Sequence, residues 1–85
     1  MSIKRLNVQL KNKLNKLDQL KNKKNKCVND QHTFENDSLD YENDKKYIKL
    51  IDLDFELAYK IEEIEKEIKS LRNKINYIKR ISNVD

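Results

Sequence analysis

The sequence predicts an all-α fold, an antiparallel helical hairpin or coiled coil whose long C-terminal helix completes an oligomeric helical bundle. Three observations carry this. Leu57, Ile61, Ile64, Ile68, Leu71, Ile75 and Ile78 alternate at spacings of four and three, a heptad whose narrow apolar seam is best covered by another helix. A second run, Ile3, Leu6, Leu10, Leu14, Leu17 and Leu20, also recurs at three or four, the period of an amphipathic helix. The 85 residues include no Gly and no Pro, which removes phosphate-cradling glycine loops and polyproline stretches. No β-branched run bounded by turn residues reads as a strand.

Residues 1–26 are read as a basic amphipathic helix. Nine cations face a single acid, Asp18, in this segment. Ser2 suits an N-cap, and Lys21, Lys23, Lys24 and Lys26 suit the negative end of the helix dipole. Its six apolar side chains are too few to hold some two dozen residues in a helix alone, because each ordered residue costs about 1–2 kcal/mol of backbone entropy.

Residues 27–43 lose the periodicity and turn to small polar and acidic types, Asn29, Asp30, Asn36, Asp37, Ser38, Asp40 and Asn43 among them. That composition predicts an acidic polar linker, long for a connection between packed helices. Residues 44–82 are read as the long coiled-coil helix, with Asp40, Glu42 and Asp44 at its positive end and Lys79 and Arg80 at its negative end. Residues 83–85 form a short tail. At 1.5 Å per residue the two helices should be roughly 36 and 58 Å long. A hairpin of such unequal arms leaves Leu71, Ile75 and Ile78 without a partner from the same chain.

The intramolecular seam is assigned by spacing. Ile3, Leu6, Leu10, Leu14 and Leu17 share the 3, 4, 4, 3 pattern of Leu50, Leu53, Leu57, Ile61 and Ile64, and both drift in the sense of an eleven-residue repeat. Residues 48–69 hold seven acids and four lysines, a field opposite to that of the first helix. Ile48, Ile51, Phe55 and Tyr59 make another stripe nearly opposite that seam. A helix apolar on two sides is covered on both, so residues 47–59 are expected at the centre of a bundle of at least three helices. The partner-binding candidates are therefore Ile51, Phe55, Tyr59, Leu71, Ile75 and Ile78. Isoleucine at both core positions leans towards three or four strands, with the partner self or foreign. Lys74 and Lys79 would meet in a parallel self-pairing, which favours an acidic partner near the final turns.

A catalytic site needs converging polar groups in a water-excluding cavity, and no such constellation is visible, so no enzyme activity or cofactor is expected. His32 and Cys27 supply two soft ligands where a closed zinc site wants four. The acid run Glu62, Glu63, Glu65 and Glu67 is the ordinary charged face of a helix, with Lys66 and Lys69 in reach. The second functional reading is non-specific nucleic-acid binding through Lys11, Lys13, Lys16, Lys23 and Lys24. These lysines are spread around the helix, and residues 1–26 lack aromatic residues for base stacking. A membrane surface is a weaker partner because the helix lacks Trp or Phe anchors. The single cysteine and the lack of a long apolar run predict an intracellular protein, cytoplasmic or nuclear.

Overall fold

The computed structural model describes residues 2–37 and 39–82. It is an antiparallel hairpin of two long helices, α1 (Ile3–Asp37) and α2 (Lys45–Ser82), joined through a short 3-10 turn at Tyr41–Asn43. The molecule is a rod measuring 68 × 15 × 14 Å. The expected tail, 83–85, lies outside the described residues.

Both helices begin at side-chain caps. Ser2 Oγ accepts from the Arg5 backbone N–H at 3.2 Å, and Asp44 Oδ1 accepts from Lys46 N–H at 2.8 Å. Each satisfies an amide that has no partner inside its helix. At the reversal, Asn43 Nδ2 donates to Asp40 Oδ1 at 2.8 Å. No described residue has a positive φ, so Leu39 to Asp44 turn without the left-handed geometry that favours glycine.

The first helix does not stop at residue 26. It continues through Asp37, and most of the expected linker 27–43 is helical. The arms are thus nearly equal, 35 and 38 residues. The reason lies in a row of less exposed positions of α1, Ile3, Leu6, Leu10, Lys13, Leu17, Leu20, Lys24, Cys27, Gln31 and Phe34, which alternate three and four, with Val28 and Asp30 half-buried beside it. On α2 the matching positions are Tyr47, Leu50, Asp54, Leu57, Ile61, Ile64, Ile68, Leu71, Ile75 and Ile78. Both seams follow a heptad, and the eleven-residue reading is corrected. Asn and Asp cost a helix only about 0.5–0.7 kcal/mol each relative to Ala, which packing along this seam offsets.

The longer α1 also moves the register. Leu6, only 1% exposed, is buried with Leu71 and Ile75, and Leu10 and Ile78 pack against them. Leu20 and Cys27 are buried with Leu57, Ile61, Ile64 and Ile68, with Leu10, Leu17 and Leu50 at the border. Leu6 therefore faces the C-terminal turns of α2, whereas the expected seam placed it against Leu50–Ile64. Leu71 and Ile75, expected to be uncovered, are buried within the hairpin, and Ile78 is half-buried. Two seam assignments also change: Leu14 and Leu53 are exposed, and Lys13 and Asp54 hold the positions beside them.

The polar seam residues are accommodated individually. Lys13 Nζ lies 2.6 Å from Glu67 Oε2, its stem lying along the apolar seam and its ammonium reaching the edge. Lys24 Nζ lies 2.8 Å from Asp54 Oδ1. Cys27, 3% exposed, donates its thiol to the Leu50 carbonyl at 3.1 Å and receives Gln31 Nε2 at 3.6 Å. At the turn, Tyr47 meets Phe34 and Tyr41 edge-on, with ring centroids 6.3 and 5.0 Å apart. Such T-shaped contacts align the positive edge of one ring with the negative face of the next. The Tyr47 hydroxyl donates to Glu35 Oε1 at 2.9 Å, closing that end of the rod.

Candidate interaction surface

The two-sided character of α2 leaves one stripe uncovered. Its inner seam is buried against α1, but Ile48 and Phe55 point outward, Phe55 with 73% of its surface exposed. Ile51 is half-buried between them and the seam. Tyr59, one turn beyond Phe55, is 65% exposed. Hydrogen bonding of the phenol to the Glu63 carboxylate, and then the repulsion that ionisation would set up with that charge, push Tyr59 above the ordinary tyrosine range. Of the expected partner residues, the structure thus places Ile51, Phe55 and Tyr59 on an outer face and removes Leu71 and Ile75 to the interior. Among the described residues no third helix covers that face.

A shallow groove lies further along the rod, lined by Leu14, Leu17, Glu65, Ile68, Lys69, Arg72, Asn73 and Asn76. Leu14 is exposed beside it. The exposed leucine that departs from the heptad therefore supplies an apolar wall to the groove.

Asp54 is a half-buried carboxylate within the seam. Its Oδ1 is shielded from solvent and has no well-aligned hydrogen bond; the Lys24 ammonium 2.8 Å away offsets its charge. That ammonium holds the Asp54 carboxyl below the usual carboxylate range, against the opposing effect of burial and with help from Gln31. The pair sits inside the seam, where a polar layer selects one register over slipped ones at some cost in stability.

The lysines considered for nucleic acid divide into two groups. Lys13 and Lys24 are held in ion pairs with Glu67 and Asp54. Lys11, Lys16 and Lys23 are exposed. Cys27 is buried in the seam, whereas His32 is exposed with Nδ1 3.3 Å from Glu35 Oε2. Among the described residues no group of three His, Cys, Asp or Glu side chains is gathered to hold a metal ion. No described helix is long and apolar enough to cross a membrane.

Sequence spacing alone missed Cys27 and Gln31 as seam residues, although both continue the three-four alternation from Leu20 through Lys24. Compared with protein-family models, curated proteins and solved structures, the chain finds no match in any of the three.

Proposed function

We propose that this chain is a non-enzymatic coiled-coil interaction protein, a small subunit, adaptor or tether that joins a multiprotein complex by helix–helix packing. The observation that carries this is the outward stripe of Ile48, Phe55 and Tyr59 flanking Ile51 on a helix whose other face is already buried. Single exposed apolar residues are ordinary on protein surfaces. A run at helical spacing, with a large aromatic at its centre, is instead the form of anchor that enters a facing helical groove.

Replacing Ile48 and Phe55 together with Glu tests the reading. Helicity by circular dichroism should be unchanged, because both residues lie outside the seam. Association, whether with itself or with proteins recovered from the native source, should be lost. A double variant that retains the wild-type assembly state and recovers the same proteins would defeat the proposal.

The exposed Lys11, Lys16 and Lys23 support nucleic-acid binding as a second reading, with less force because Lys13 and Lys24 already answer carboxylates. It requires affinity for random duplex to fall steeply as salt rises.

A further inference from the structure

Resting on the interaction reading above, we propose that the stripe is occupied by a second copy of this chain, laid antiparallel to the first, so that two hairpins form a four-helix bundle. The face of the rod is self-complementary. Ile51, Glu65 and Arg72 differ by whole heptads, as do Ile48, Phe55, Lys69 and Asn76. Residues separated in this way share a helix face. The apolar knob at Ile48, Ile51 and Phe55 and the groove lined by Leu14, Leu17 and Ile68 therefore lie on one side of the molecule. Phe55 sits about as far before the midpoint of α2 as the groove lies beyond it. A two-fold axis across the middle of the rod brings each knob onto the other copy's groove, satisfying both with one isologous contact.

Charge selects the direction. The turn half of the rod, residues 20–37 and 39–63, carries eleven acids and eight lysines. The other half, residues 2–19 and 64–82, carries eleven cations and three acids. A parallel pair would set like poles together, whereas an antiparallel pair sets each acidic pole on a basic one. Such complementarity governs orientation and partner choice. It also places the Phe55 ring near Lys69 and Arg72, cations that favour an aromatic face.

The available area suffices. A rod 68 Å long and 15 Å wide presents a face of about 1,000 Å², above the roughly 800 Å² per partner of a stable specific interface. The full length takes part only if the copies overlap end to end, as the central axis requires.

The test uses the unmodified chain. Sedimentation equilibrium over a concentration series gives the stoichiometry. An equal mixture of ¹⁴N- and ¹⁵N-labelled chains, treated with a zero-length carbodiimide cross-linker and digested for mass spectrometry, gives the direction. A dimer is expected, with mixed-isotope links joining Asp52 of one copy to Lys69 or Lys79 of the other. Phe55→Glu should weaken the dimer by at least about tenfold, as loss of a central anchor does, and leave helicity intact. Mixed-isotope links confined to the turn ends, from Asp40 or Glu42 to Lys45 or Lys46, would reveal a parallel pair and overturn the proposal. So would a trimer, or a monomer at every concentration. A monomer that loses a foreign partner on Phe55→Glu defeats the second copy and leaves the interaction reading standing; one with no stripe-dependent partner defeats both.

Discussion

Replacing Lys24 and Asp54 together with Leu should stabilise the hairpin while loosening its register. The pair lies within the seam, its side chains 34% and 27% exposed. An ion pair that open to solvent contributes about 1 kcal/mol or less. Two leucines at the same positions would each bury roughly two-thirds of a side chain, worth about 1–2 kcal/mol apiece on the usual area scale. The net gain is about 1–3 kcal/mol, or roughly 5–20 °C in melting temperature for a chain of this size. Urea denaturation followed by circular dichroism at fixed protein concentration measures it. The lost specificity should appear as extra backbone amide resonances in a heteronuclear spectrum, from molecules in a slipped register. A double variant less stable than the parent by more than about 1 kcal/mol would refute the reasoning, since the ion pair would then outweigh two buried leucines, contrary to its exposure.

Other outcomes follow from the same packing. Ile75→Ala, beside Leu6 and Leu71, should cost about 2–4 kcal/mol in urea denaturation, within the range for emptying a buried site; a cost below about 0.5 kcal/mol would place Ile75 outside the core. Because the folded pKa of Asp54 is depressed, its contribution is present above the unfolded aspartate pKa, about 3.9, and is lost as pH falls below that towards the folded value. Asp54→Asn should flatten that part of the stability curve, and an identical acid limb in both proteins would contradict the assignment. Cys27 should react with an aromatic disulfide reagent only as fast as the hairpin opens, accelerating strongly in urea; immediate labelling in buffer would show that its 3% exposure does not describe the solution state.

The sequence made the C-terminal seam plain because every core position from Leu57 to Ile78 is Leu or Ile. The fold-back and the helical class follow from that run and from the leucines of residues 1–26. The second half of α1 was obscured because its seam is written in Lys24, Cys27 and Gln31, set among the Asn and Asp residues of a typical loop. Lys24 and Cys27 become core residues only when their opposing groups are known, Asp54 and the Leu50 carbonyl, and Gln31 only once Cys27, one turn earlier on the same helix, is buried. Leu14 and Leu53 misled in the other direction, being apolar one residue away from the true seam. That one-residue error turned a heptad into an apparent eleven-residue drift. The hidden second half of α1 in turn concealed that Leu71 and Ile75 have a partner in Leu6. Phe55 and Tyr59 were legible as a surplus stripe because no single partner helix can cover two opposite sides of α2.

Among the described residues, Leu39 to Asn43 hold no left-handed conformation. Residues other than glycine fit the backbone of Leu39 to Asn43, so composition there can drift under mutation, provided Asp44 still caps its helix and the Asn43–Asp40 bond is kept or replaced. The instruction to double back then resides in the long arms, which recognise each other along their length, and the bend acts as a passive strap. Polar insertions of a few residues between Leu39 and Asn43 should accordingly leave the arms mated as before, since each doubling of a loop adds only about 0.6 kcal/mol of closure entropy.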